Sequence, residues 1–252
     1  MNLLQLLLIG LGAVAAGLVN ALAGGGTLIS FPILTALGIP PVAANITNTV
    51  ALCPGYLGAT LAQRDLLADQ KHRLWWYLPA ALLGGLAGAL LLLVSGERLF
   101  SAAIPWLILL ATILLAVGEP VKKWLANHQS LEEKNSREAI VAIPVALASV
   151  YGGYFGAGLS VIILAVLGST LHNSLTRLNA LKQAIAFAAN IAAAIVFVFS
   201  GQVVWLVAAV MAVCALLGGA VGGKLVGKLN PVALRWVVVI IGLTVSIYYF
   251  VK

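Results

Sequence analysis

The sequence predicts an all-α polytopic membrane protein made of two inverted-topology repeats, each a glycine-broken re-entrant helical hairpin plus about three transmembrane helices. Three observations lead there. The chain is 62% hydrophobic and only 8% charged, whereas soluble domains carry about 25% charged residues. Apolar runs of about 20 residues, the length that crosses a bilayer as helix, recur from end to end. A glycine-rich break inside one apolar run, NALAGGGTLISFPILTALG at 20–38, is echoed by GGYFGAGLSVIILAVLG at 152–168.

Apolar runs set against polar breaks give the elements in order. The first half reads 3–22, a half-length 27–38, 42–62, 75–95 and 101–118, then a polar loop over 119–138. The second half reads 139–155, a half-length 158–168, 175–199, 203–223 and 234–251. Residues 1–118 thus form a first repeat, 119–138 a connecting loop and 139–252 a second repeat. Residues 1–22 lack the basic start of a signal peptide and run into further apolar sequence, so they read as membrane. Strands of a transmembrane barrel would alternate over about ten residues and do not fit runs of this length.

The halves match residue by residue. AGGG at Ala23–Gly26 corresponds to FGAG at Phe155–Gly158, and ANITN at Ala44–Asn48 to LNALK at Leu178–Lys182. Asn45 therefore pairs with Asn179, and Asn48 with Lys182.

Charge sets the orientation. Ten of the 14 Lys and Arg fall in three places: Arg64, Lys71 and Arg73; Lys122, Lys123, Lys134 and Arg137; and Lys224, Lys228 and Arg235. Basic loops collect on the cytoplasmic side, so 63–74, 119–138 and 224–235 are expected there. The chain between the last two must then cross an even number of times. One hairpin over 139–168 that returns to its own side, with single crossings at 175–199 and 203–223, satisfies this. A half-segment of about 12 residues is only about 18 Å long as helix, enough to reach the middle of the bilayer. Three crossings and one hairpin per half insert the halves in opposite orientations, as in many secondary transporters. Segment 3–22 strains the scheme, because it is long enough to span outright.

The net charge of +7 belongs to those loops, and no basic tail or soluble domain offers a nucleic-acid surface. Cys53 and Cys214 lie in apolar segments without metal or disulfide spacing and read as small hydrophobes. No metal, cofactor or catalytic group is expected.

GGGTLISFPILTALG, its echo GGYFGAGLSVIILAVLG and the stretch RLNALKQAIAFAANIAAAIVF together resemble the TauE/SafE sulfite exporter family, over essentially the whole chain. The resemblance implies a bacterial inner-membrane transporter for sulfite, sulfonates or other small organosulfur or organic anions. It leaves the substrate open, together with direction, coupling ion and oligomeric state, a homo-oligomer included.

The residues themselves suggest an anion site. Half-helices starting near Thr27 and Leu159 would present their N-termini inside the membrane. Such an end offers unpaired N–H groups and about half a positive charge. The candidate residues at the breaks are Gly24, Gly25, Gly26 and Thr27 in the first half and Gly156, Gly158 and Ser160 in the second. Glycines there also fit a plain close-packing surface. On the segments that follow, Asn45, Asn48, Thr49 and Tyr56 share one helix face, and Asn179, Lys182, Gln183 and Asn190 repeat the spacing. Polar side chains at membrane depth face the bundle interior, either to meet a substrate or to join helices. Lys182 has no acidic neighbour in sequence, and a bound anion would supply its counter-charge. The competing reading is a lysine snorkelling to the interface. Arg177 is interfacial or part of an access route.

All seven carboxylates map to loops or their edges, so no membrane carboxylate serves a proton or sodium relay. His172 is a connecting-loop residue or a proton carrier. An integral-membrane enzyme would need a nucleophile–base arrangement that the scattered histidines do not supply. A scaffold or assembly factor would leave the polar stripes unexplained. The expected function is transport of small anions by alternating access, with small anion and lipid as partners.

Overall fold

Backbone groups facing lipid must be satisfied within their own segment, and the chain meets that demand with helix. The computed structural model describes residues 2–22, 25–127, 138–171, 173–224 and 231–251. These form α1 (Leu3–Leu22), α2 (Thr27–Ala36), α3 (Pro41–Ala62), α4 (Arg64–Leu67) and a 3-10 turn (Ala68–Gln70). They continue with α5 (Lys71–Asn127), α6 (Glu138–Tyr154), α7 (Leu159–Thr170), α8 (Leu175–Phe199), α9 (Trp205–Lys224) and α10 (Pro231–Val251). The protein is an all-α membrane protein, with no strand among the described residues.

Gly96 divides α5 into two arms, 71–95 and 97–127. Its φ of 65° and ψ of −178° are non-helical, and a positive φ is a conformation that side chains disfavour. Glu97 then secures the break, its carboxylate accepting the Val42 N–H at the start of α3 at 3.2 Å. The second arm outruns the expected 101–118: helix continues through Pro120 to Asn127. The first part of the expected 119–138 loop is therefore helical, and 128–137 lie outside the described residues. Pro120 and two lysines read as a helix stop, but Lys122, Lys123, Leu125 and Ala126 supply good helix formers directly after it.

Large apolar side chains face outward, among them Leu3, Leu83, Val94, Ile143, Phe199 and Ile247. Exposed Trp75, Trp76, Trp205 and Trp236 stand toward helix ends, where amphipathic rings meet the headgroups. Four stretches among the described residues are long and apolar enough to cross a membrane: Leu3–Asn20, Arg64–Gly118, Thr176–Phe199 and Val232–Val251. That list includes α1, whose 20 residues make it longer than the 17 of α6, its counterpart.

The two halves are interleaved. The α1 helix packs on α9 through small residues: a Cβ on Gly17 would lie 2.2 Å from the Ala215 carbonyl oxygen, and one on Gly218 2.0 Å from that of Val14. In the same way α6 packs on the first arm of α5, where a Cβ on Gly84 would lie 2.3 Å from the Ala146 oxygen and one on Gly88 2.0 Å from that of Val150. Without a hydrophobic drive inside lipid, such backbone-to-backbone approach is what holds helices together.

Two polar seams mark the ends of the bundle. At one, Gln70 donates to the Arg177 carbonyl at 3.3 Å and accepts from Asn173 at 3.0 Å, beside an Arg177–Asp69 ion pair of 3.2 Å. At the other, Glu97 meets the start of α3, and the Val204 N–H meets Thr47 Oγ1 at 3.0 Å.

Candidate functional site

Both half-helices begin where the glycines stop, α2 at Thr27 and α7 at Leu159. Gly25 takes φ 91°, and Gly156 and Gly158 each take φ 79°, left-handed values open to glycine at little cost. Left-handed Gly156 ends α6 in the usual manner of a helix C-cap, with the Phe155 and Gly156 N–H groups both on the Tyr151 carbonyl at 3.0 and 3.2 Å. Tyr151 Oη donates to the Ala157 carbonyl at 2.6 Å, pinning the tip to the helix it left. The α7 helix opens with the Val161 N–H on the Gly158 carbonyl at 2.9 Å. Among the described residues, the N–H groups of Ala157, Gly158 and Ser160 close no backbone hydrogen bond. Gly24 lies outside the described residues.

The α3 stripe joins the two tips. Asn45, fully buried, donates through Nδ2 to the Tyr154 carbonyl at the end of α6, 2.9 Å away. One turn on, Asn48 Oδ1 accepts from Ser30 Oγ at 2.6 Å, and its Nδ2 donates to Thr27 Oγ1 at 3.4 Å. Thr27 and Ser30 both sit on the first turn of α2, buried. Ring contacts repeat the connection: Phe31 of α2 meets Phe155 at 5.4 Å, and Phe100 meets Phe31 at 6.3 Å and Tyr154 at 5.6 Å. The same turn of α5 touches both tips, since a Cβ on Gly25 would approach Leu115 and one on Gly158 would approach Leu114 and Ala111. Thr49 is buried but turns back to its own helix, donating to the Asn45 carbonyl at 3.0 Å.

The α8 stripe has other partners. Asn179 Nδ2 donates to Gln63 Oε1 at 3.1 Å, and Lys182 Nζ donates to Asn179 Oδ1 at 2.7 Å. Gln63 caps the far end of α3, 18 residues from Asn45, or about 27 Å along the helix. Lys182 and Gln183 are half-buried, and Asn190 is buried on the Ala186 carbonyl at 2.8 Å. The structure thus gathers Gly25, Gly26, Thr27, Asn45, Asn48, Gly156 and Gly158, while Asn179 and Lys182 gather at the other end of α3. Ser160 is half-buried on the first turn of α7. His172 lies outside the described residues.

Sequence reasoning missed Ser30, three residues after Thr27 and so on its face, a spacing that would have found it. It also missed Gln63 and Gln70, polar residues in the basic linker, and the Tyr154 carbonyl, which no side-chain pattern can reveal. An apolar groove of about 500 Å³ opens between α3 and α8, lined by Cys53, Pro54, Phe187 and Ile191 among others, and no predicted site residue lines it.

Backbone N–H groups left open at a helix start are donors of the kind an anion accepts, and among the described residues no hydrogen bond joins a carboxylate to either tip. Comparison with known proteins agrees with a transporter. The chain is 28% identical over 228 residues to a probable membrane transporter protein of Haemophilus influenzae, covering 89% of this chain and 86% of that one. It is 26% identical over 243 residues to the probable membrane transporter protein YfcA of Escherichia coli K12, covering 93% and 85%. A probable membrane transporter protein, ORF9, of a Sinorhizobium species is 27% identical over 242 residues, covering 93% and 88%. No solved structure gives a significant match. The family model described as Sulfite exporter TauE/SafE matches residues 8–249, so this membrane protein belongs to the TauE/SafE sulfite exporter family.

Proposed function

We propose that the chain moves small anions, sulfite or sulfonates among them, across the bacterial inner membrane by alternating access. The observation that carries this reading is that two amides one turn apart on α3, Asn45 and Asn48, hold the tips of both glycine-broken hairpins. A small change at that turn is felt by both hairpins at once, which is what a carrier that exposes one site to two sides requires. Gly24, Gly25, Gly26, Thr27, Asn45, Asn48, Thr49, Gly156, Gly158 and Ser160 form the proposed site, and Asn179, Lys182 and Gln183 its approach from the basic end. Lys182 there raises the local anion concentration, as a cation at a channel mouth does.

Re-entrant, inverted hairpins are part of the same reading, and the contacts support it. Gly84 and Gly88 meet Ala146 and Val150 in the same order, so α6 runs with the first arm of α5, away from Gln70. The α7 helix then leads back to Asn173, which bonds Gln70. Gly10 meets Val210 and Cys214, so α1 runs with α9 from the Glu97 end. The α2 helix leads back there, its Thr35 accepting from Tyr249 near the end of α10 at 2.6 Å. The hairpins therefore open toward opposite ends, and the basic end is the proposed cytoplasmic one.

Flux of radiolabelled sulfite and of a panel of small anions into proteoliposomes tests the reading. Lys182→Ala and Asn179→Ala are expected to lower sulfite flux severalfold. Wild-type flux in both variants removes the α8 stripe from the path, and no flux of any small anion in the wild type sinks the transport function.

A further inference from the structure

Asn45 and Asn48 stand on the same face, yet they are left in different states. Asn48 has both ends of its amide engaged, accepting from Ser30 and donating to Thr27. Asn45 has its donor engaged, but its Oδ1 is buried without a hydrogen-bond partner among the described residues. The amide cannot be turned to cure this, because Oδ1 would then face the Tyr154 carbonyl, acceptor against acceptor. An unmet buried acceptor is costly, and native proteins seldom leave one without a reason.

Oδ1 sits on an amide whose nitrogen touches the last carbonyl of α6. Beyond that carbonyl, after Phe155 and Gly156, come Ala157, Gly158 and Ser160, whose N–H groups close no backbone hydrogen bond among the described residues. The same tip therefore offers donors for anionic oxygens and, on the amide that holds its Tyr154 carbonyl, one acceptor. A fully deprotonated oxyanion would use the N–H groups and repel Oδ1. A ligand with both a negative charge and an O–H or N–H would use all of them.

Building on the transport reading above, we infer that Asn45 Oδ1 receives a hydrogen-bond donor carried by the transported anion. The site's substrate class is then singly charged oxyanions bearing one donor, such as hydrogensulfite or a hydroxy- or aminoalkylsulfonate. Asn48 spends both ends of its amide on the tip of α2, whereas Asn45 holds the end of α6 through Nδ2 and reads the ligand through Oδ1.

2-Hydroxyethanesulfonate and ethanesulfonate share charge and headgroup and differ by one hydroxyl. Competition of each against radiolabelled sulfite uptake in proteoliposomes reads the preference directly. The wild type is expected to favour the hydroxylated anion about tenfold, the worth of one buried hydrogen bond. Asn45→Ala is expected to bring the ratio close to one, whatever it does to the absolute rate. Where Asn45→Ala does not reach the membrane, Asn45→Gln, which keeps the amide but displaces Oδ1 by a methylene, gives the same test. A wild-type ratio near one, or a tenfold ratio that survives in the variant, overturns the inference while leaving transport intact. Absence of flux for every small anion overturns the transport function and this inference with it.

Discussion

The fifth residue of α3 and the fifth of α8 are both asparagines, each followed three residues later by a second polar group, yet the two stripes do different work. On α3, Asn45 and Asn48 reach the hairpin tips. On α8, Asn179 and Lys182 bond each other and Gln63. The cause lies in the half-helices. The first turn of α2 carries Thr27 and Ser30, which can answer an amide, whereas the matching positions of α7 are Leu159 and Ile162, which cannot. Shared spacing therefore gives a shared face, and the partner across that face decides the role.

The sharpest way to break this comparison is to swap the stripes' amides for leucine one at a time. Asn48→Leu strands Thr27 Oγ1 inside the bundle and leaves Ser30 Oγ only the Gly26 carbonyl at 3.2 Å, a loss of about 1–3 kcal/mol, and frees the tip of α2. Sulfite flux is expected to fall by more than tenfold with a clear drop in the thermal midpoint. Asn179→Leu leaves only Gln63 and Lys182 to rearrange at a half-buried edge, and a much smaller drop is expected. Equal losses in the two variants would show that the stripes are equivalent after all.

A second test sets the two tips against each other. Gly26 has an ordinary helical φ of −54°, but a Cβ there would lie 2.4 Å from the Ala16 carbonyl oxygen. Gly158 has room by comparison, its nearest neighbours being Leu114 side-chain atoms at 3.3 Å, but its φ is 79°. The first glycine serves close approach, and the second serves conformation. Gly158→Ala is expected to cost about 1–2 kcal/mol, the price of a left-handed residue with a Cβ. Gly158→Asn should cost less than Gly158→Ala, because asparagine visits that region more readily. At Gly26 the order reverses, with Asn worse than Ala for its bulk. Thermal unfolding in detergent measures all four, and the same order at both positions would refute the distinction.

These pairs also show what the sequence could and could not reveal. The starts of α2 at Thr27 and α7 at Leu159 were legible because glycine runs end there and apolar residues resume. The bounds of α8, Leu175–Phe199, follow from a run that stays apolar apart from Arg177 and one polar stripe. The face shared by Asn45, Asn48 and Thr49 was legible from helical spacing. What Asn45 touches was not, because its partner is a backbone carbonyl 109 positions away. Nor could spacing separate Asn48 from Lys182, since that difference rests on Ser30 facing one and leucine-rich α7 following the other. The helix beyond Gly118 was misread for a simpler reason: Pro120 and the lysines after it look like a stop, and a proline in a long helix need not be one.

The smallest effect is expected at the basic end, where the α7–α8 connection meets the Arg64–Lys71 linker. Asp69 and Arg177 pair at 3.2 Å, but their side chains are 72% and 46% exposed. An ion pair so open to solvent is worth less than about 1 kcal/mol, and salt screens it. Asp69→Asn should therefore shift the thermal midpoint barely, with the shift vanishing at high salt. Gln70 is only 1% exposed and holds the same two segments through the Arg177 carbonyl and Asn173, so it carries the junction that the ion pair only decorates. A weak surface pair over a buried amide is a closure that can part at modest cost. The Glu97 end, by contrast, is filled by the Phe31, Phe100, Tyr154 and Phe155 rings, whose parting would expose apolar surface to water. A large, salt-insensitive loss in Asp69→Asn would make the basic end as rigid as the aromatic one, and the contrast between the α3 and α8 stripes would lose its physical basis.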